Sequence, residues 1–482
     1  MAAIIASDMK RTTRSAPARA RTGDPTAGGF QFTQTQFQSL ADLALTHARQ
    51  LGVADAAVEV SEGSGLSVSV RRGALENVER NRDKSLGVTV YLGQRRGNAS
   101  TSDFSPDAIR RTVQAAYDIA RYTAEDPAAG LPDEIDIAND YPDLELFHPW
   151  PITAEQAVEL ALRCEAAAFA VSPRITNSEG ASVSAQQSHF WAEHMRGGER
   201  GRQGIFAGGY ASSRHSLSVS PIAGKGDGMQ RDYWYTSMRN PAELASPEAV
   251  GRYAAERALA RLKPRKIATT ECPVLFEAPL AAGLLGAFVQ AVSGGALYRR
   301  TTFLPDSLGR QVFAPHIDID EDPHLIGAKG SAPFDDEGVR TRARPVVGAG
   351  CVKGYFLSTY SARKLGLRTT GNAGGSHNLR MTSRLTQPGD DLPAMLRKLG
   401  RGLFVTELMG QGVNPVTGDY SRGAAGFWVE DGVIAYPVQE ITIAGNLKDM
   451  FRGIVAIGAD VYNLGAKYVG SVLIDRMTVA GA

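Results

Sequence analysis

Apolar and polar residues alternate at period two in Leu66-Ser67-Val68-Ser69-Val70 and again in Leu86-Gly87-Val88-Thr89-Val90-Tyr91-Leu92. That spacing predicts two strands, each buried on one face. Segments of helical period flank them. From Phe32 to about Arg49 the apolar positions Phe37, Leu40, Leu43, Ala44 and Ala48 share one side, and Gly52 ends the run. Ser105 before Pro106 supplies an N-cap and a proline at the first helical position, and Ile109, Val113, Ala116 and Ala120 line that helix. Asn77 to Lys84 lacks an apolar period and is expected to be a polar turn region between the strands. The pattern therefore describes a first α+β unit, a helix and an antiparallel sheet closed by a second helix, over residues 31–125.

A connector rich in Pro and Asp, Asp126 to Trp150, leads to Thr153 and Gln156, whose spacing is that of a capping box. A helix to about Phe169 should follow. From Ile175 to Tyr235 the chain is strand-like and dense in Gly and Ser, with loops expected around Arg196 to Arg202 and Gly224 to Gly228. Ser246 and Pro247 open another helix that ends before Pro264, which completes a central α+β unit over residues 126–264. The remaining residues, 265–482, read as a mainly β C-terminal domain, with Asp431-Gly432 as a two-residue hairpin turn. Within it Pro279 to Val292 is apolar on every side, so a buried helix is expected there. The fold class is α+β. Residues 1–30 are set apart as a disordered tail, although Lys10, Arg11, Arg14, Arg19 and Arg21 among Ala, Thr, Ser and Pro also give it the look of a transit peptide.

Composition narrows the function classes. The 482 residues suit about three domains at roughly 150 residues each. A content of 43% hydrophobic and 21% charged residues is that of a globular protein and excludes fibrous or wholly disordered chains. Lys and Arg total 52 against 51 Asp and Glu, so no overall field draws the chain to nucleic acid or to an acidic membrane. Cys164, Cys272 and Cys351 are dispersed and odd in number, which favours a reducing compartment over a disulfide framework. No stretch reaches the roughly 18 to 20 apolar residues of a membrane span, and no signal-peptide core is present. A soluble cytoplasmic protein is expected.

Candidate chemistry is sparse. His189 and His194 are five apart in His189-Phe190-Trp191-Ala192-Glu193-His194, a spacing that sends them to opposite faces of a strand and to different sides of a helix. They are expected to be unrelated sheet histidines. There is no Gly-x-Ser-x-Gly elbow and no Walker loop. Gly348-Ala349-Gly350-Cys351-Val352-Lys353-Gly354 falls one position short of a dinucleotide fingerprint and reads as a hairpin connection carrying an unreactive thiol. Basic groups at Arg340, Arg342 and Arg344 and at Lys263, Arg265 and Lys266 lack interleaved aromatics for stacking bases. The densest unusual text is Thr406 to Trp428, with Glu407, Asp419, Tyr420, Ser421 and Arg422 among glycines. Glycine admits a close backbone, and Tyr and Arg anchor interfaces, so a substrate or partner edge and a tight set of turns both remain open.

At those residues the chain resembles a known family. Val405-Thr406-Glu407-Leu408-Met409-Gly410-Gln411-Gly412, then Gly418-Asp419-Tyr420-Ser421-Arg422-Gly423-Ala424-Ala425-Gly426-Phe427-Trp428-Val429 and Glu440-Ile441-Thr442-Ile443-Ala444-Gly445-Asn446-Leu447 are similar to the TldE/PmbA family. So are Asn77-Val78-Glu79, Ala120-Arg121-Tyr122-Thr123 and Leu146-Phe147-His148-Pro149, and the likeness runs from about residue 35 to the C-terminus.

The resemblance implies a subunit of a TldD/TldE heterodimeric zinc metallopeptidase that acts on unfolded or extended peptides, in microcin maturation and antitoxin degradation. In the catalytic TldD sister a helix carries His-Glu-x-x-x-His, and a distant C-terminal cysteine completes the metal site. The comparable helix here places Gly286 and Ala291 where the histidines would stand and Ala287 where the glutamate would stand, and no cysteine follows Cys351. Hydrogen and methyl side groups hold no metal. The resemblance therefore implies no cofactor on this chain, zinc in a TldD-like partner, and a peptide substrate shared by the pair. The alternative is a binding protein for a peptide or a toxin–antitoxin partner without a peptidase role. A self-contained centre of His377 with Asp419 or Ser421 has no support in spacing.

Overall fold

The computed structural model describes residues 29–200 and 206–481, so the basic tail expected at the N-terminus lies outside the described residues except at its end. Thr33 and Gln36 form a capping box that starts helix α1, Gln34–Gln50. Its buried side, Phe37, Ala41, Ala44, Leu45 and Ala48, lies on a long hairpin of β1, Asp55–Arg71, and β2, Ala74–Leu92. The short β3, Arg95–Thr101, and α2, Pro106–Tyr122, capped by Ser105 as expected, complete this part.

The expected polar turn at Asn77 to Lys84 is instead strand. Asn77 pairs with Ser69 and Lys84 with Glu62, and the chain reverses at Arg72 and Gly73, both at positive φ (53° and 75°). Strand pairing uses backbone groups, so it does not require an apolar period where no helix covers the sheet. Because β3 pairs only with Leu86 to Leu92, the stretch before it forms an exposed sheet edge. Its charged residues, including Glu79, Arg80 and Lys84, suit an edge that must resist further pairing.

Helix α3, Ala154–Ala170, begins at the expected capping box, and β4, Ile175–Arg196, follows it. Next come β5, Ala211–Ala223, β6, Trp234–Met238, and α4, Pro247–Ala260. Strand β4 pairs with β1 from Ala56–Met195 to Val70–Ala181, so the two N-terminal units share one antiparallel sheet in the order β3-β2-β1-β4-β5-β6. All four helices cover one face. Val58, Val60 and Val88 pack under α1 and α2, whereas Leu66, Val68, Val183, Leu217 and Val219 pack under α3 and α4. The opposite face is polar behind α3 and α4, with Ser67, Ser184, Ser216 and Ser237 paired straight across four strands, and behind α1 and α2 it carries Phe190, Ala192 and Tyr210 against Phe334.

The C-terminal part joins β7, Thr270–Phe276, to helix α5, Ala278–Ala291. A small sheet follows, built on β8, Ile317–Asp322, β9, Arg344–Gly348, and β10, Asn378–Ser383. The larger sheet contains β11, Gly402–Met409, β12, Asp419–Glu430, and β13, Val433–Asn446. Its last members are β14, Ile454–Ile457, and β15, Val472–Ala480. Strand β7 pairs with both β11 and β15, which closes five of these strands into a ring. Asp431 and Gly432, at φ 51° and 74°, turn the β12–β13 hairpin as their sequence requires. Helix α5 buries Ala281, Leu284, Leu285, Phe288 and Ala291 in the core, while Gly283 and Gln290 reach the surface. No helix among the described residues is long and apolar enough to cross a membrane.

Candidate functional site

Helix α5 owes its form to an apolar face locked between the sheets, and its other face presents small residues. Gly286 and Ala287 are half-buried, and Ala291 is buried. A Cβ added at Gly286 would lie 3.7 Å from Cε of Lys467, so a lysine stem stands over this position. None of the three side chains has a donor atom, and the neighbour is a cation, so these positions do not fit a divalent metal. Among the described residues no group of three His, Cys, Asp or Glu side chains is placed to hold a metal ion.

Strand parity separates the two sheet histidines. His189 lies between the rings of Phe30 and Phe37 with Nε2 3.3 Å from Oε2 of Glu62. Burial pushes its pKa down, and the Glu62 carboxylate partly offsets that. His194 faces the other way, packed on Phe206, and burial pushes it down to about 4. The glycine-rich segment around Cys351 is a hairpin turn, with Ala349 and Gly350 at φ 50° and 77° between the pairs Val347–Val352 and Gly348–Cys351.

The Thr406 to Trp428 cluster is split by the two-residue period of a strand. Asp419 and Ser421 are exposed: Asp419 accepts from Thr417 Oγ1 at 2.6 Å and Asn446 Nδ2 at 3.0 Å, while the Ser421 amide donates to the Gly412 carbonyl. Tyr420 and Arg422 point inward. The Tyr420 hydroxyl and Arg422 Nε are buried, and burial pushes Tyr420 up to about 12 against the opposing effect of the neighbouring Arg422 side chain. Glu407 joins neither pair. It meets Arg261 and, at 3.5 Å, Arg231, both from the central unit. His377 is held by Glu321, Nδ1 to Oε1 at 3.1 Å, and that carboxylate also accepts from Arg344 Nε at 2.8 Å. The partners of His377 are thus not Asp419 or Ser421.

Glu407 belongs to a seam between the central and C-terminal parts. Arg257 of α4 donates to Glu277 Oε1 at 2.6 Å and Oε2 at 3.1 Å, and its Nε lies 3.2 Å from Asp232. Arg261 meets both Asp232 and Glu407. Elsewhere along the same junction stand Arg214 and Arg239 of the central sheet and Lys329 of the C-terminal part. Arg239 donates to the carbonyls of Ala328 at 3.0 Å, Lys329 at 3.1 Å and Ser213 at 3.3 Å. The Lys329 ammonium donates to the Asn463 carbonyl and is 7% exposed. Burial, with Arg214 and Arg239 nearby, pushes it down to about 7. Among the described residues no carboxylate lies within ion-pair distance of these three cations. They are far apart in sequence, so no local motif announces them; the one available signal was the serine alternation of Ser212, Ser216, Ser218 and Ser220, which Arg214 interrupts.

The chain matches three family descriptions: PmbA/TldA metallopeptidase domain 1 over residues 56–120, the central domain over 147–196 and 206–262, and the C-terminal domain over 269–481. It is 51% identical to the metalloprotease PmbA of Escherichia coli O157:H7 over 426 residues, 88% of this chain and 92% of that protein. A PmbA homolog from Haemophilus influenzae is 47% identical over 89% of this chain and 92% of its own length. Among solved structures, TldE from Thermococcus kodakarensis superposes with a TM-score of 0.76 at 18% identity, covering 92% of this chain and 99% of that one, a likeness of fold. A Thermotoga maritima protein solved under a DNA gyrase modulator label gives 0.81 at 25% identity, with 92% and 100% covered.

Proposed function

Because this chain belongs to the PmbA/TldE family, we propose that it serves as the companion subunit of a two-chain zinc metallopeptidase whose TldD-like partner carries the metal. The observation that supports this most directly is the intact helix α5 bearing Gly286, Ala287 and Ala291 with Lys467 over the first of them. The helix is retained for packing while its open face has neither a metal ligand nor a general base. The substrate in this reading is an unfolded or extended peptide, and the role of this chain is to complete the fold of the pair and to wall the space in which the peptide lies. Three free cysteines suit a reducing cytoplasm.

The test is to purify the chain alone and mixed with its TldD-like partner, then to measure zinc content and cleavage of an unfolded peptide. The expected result is no zinc and no cleavage from the single chain, and both from the mixture. Stoichiometric zinc with cleavage by the single chain would overturn the proposal. An inactive mixture whose partner is folded and zinc-loaded would favour a peptide-binding role without proteolysis.

A further inference from the structure

The polar face of the large sheet is laid out in straight cross-strand rows. Gly65, Gln186 and Arg214 form one row, and Ser67, Ser184, Ser216 and Ser237 form the next. Short hydroxyl side chains leave such a face open to hydrogen bonding without favouring one side chain over another. At its end the chemistry changes. Arg214, Arg239 and Lys329 gather where the face meets the C-terminal part, and among the described residues the Arg214 guanidinium donates to Ser237 Oγ alone, at 3.5 Å. The Arg239 guanidinium is fixed by three backbone carbonyls, as described above, which orient it but leave its charge unmatched.

Desolvating three like charges is unfavourable unless an anion completes the group. The acid whose charge acts on Lys329 is Glu243, and among the described residues no ion pair joins the two. A guanidinium pair with a nearby ammonium suits a planar carboxylate, which accepts in a bidentate manner. We propose that Arg214, Arg239 and Lys329 bind a carboxylate of an extended peptide lying along the serine-paved face. The group is either the peptide's terminal carboxylate or an acidic side chain. This rests on the reading of the chain as a peptide-handling subunit and adds the chemical feature that it recognises.

The experiment uses the full chain without any partner and follows fluorescence anisotropy of three labelled Gly/Ser/Ala peptides: one with a free C-terminal carboxylate, its C-terminal amide, and an amide containing one internal Glu. The free-carboxylate peptide should bind about tenfold tighter than the plain amide, the scale of one charge-assisted hydrogen bond. Arg214→Gln should remove that difference and Arg214→Lys should restore part of it. If the Glu-containing amide binds as tightly as the free acid, acidic side chains are also read. Equal binding of all three peptides, or a preference that survives in Arg214→Gln, would overturn the assignment. Urea unfolding of each variant checks the fold, and Lys329→Gln supplies the same readout should Arg214→Gln not fold. No metal or catalytic chain is present, so this outcome is independent of the cleavage test.

Discussion

The junction between the central and C-terminal parts holds two charged regions of opposite design. In the seam, Arg257 and Arg261 face Asp232, Glu277 and Glu407, so each buried charge has a partner. At the end of the serine face, Arg214, Arg239 and Lys329 face carbonyls, a hydroxyl and one another. The first arrangement holds two parts of a chain together. The second costs stability in the isolated chain, which is the physical ground for assigning it a bound anion.

Breaking the seam should have the largest effect. Glu277→Ala leaves the Arg257 guanidinium buried without its bidentate acceptor and is expected to cost about 3–5 kcal/mol in urea unfolding. A loss below about 1 kcal/mol would show that the seam is not what joins the parts. The next effect has the opposite sign. Lys329 is held at about 7 in the folded chain against an ordinary 10.5, so between those values the unfolded chain binds more protons and stability rises with pH. Below pH 7 both forms are protonated and the penalty is present in full. Lys329→Met should therefore stabilise the chain at pH 6 by roughly 2–4 kcal/mol and flatten the rise between pH 7 and 10. An unchanged pH profile would mean that the ammonium is not desolvated. The smallest effect sharpens the comparison by separating pairing from burial. Arg163 and Glu248 form a paired but exposed bridge between α3 and α4 at 2.8 Å, and Arg163→Ala should cost less than about 0.5 kcal/mol.

Local signals were legible wherever one residue type has one physical use. The caps at Ser105, Thr153 and Ser246 and the turn at Asp431-Gly432 stand where their chemistry places them. Asn77 to Lys84 was misread because apolar period reports burial rather than pairing, and this edge of the sheet is pairing without burial. The cluster from Glu407 to Arg422 was legible as unusual text but not as geometry. Alternation along β12 sends its members to two faces, and Glu407 is taken up by arginines that lie more than a hundred residues earlier.

The sequence by itself determined the family, the capped helices and the alternating strands, and the lack of donor atoms at Gly286, Ala287 and Ala291, since these depend on residue identity and neighbours along the chain. Only the tertiary structure decided that the two N-terminal units share one sheet, and that the charges at the junction divide into a matched and an unmatched group. Strand partners and ion partners are chosen by packing in three dimensions, where residues distant along the chain compete for the same place, and no periodicity within a short segment records the outcome.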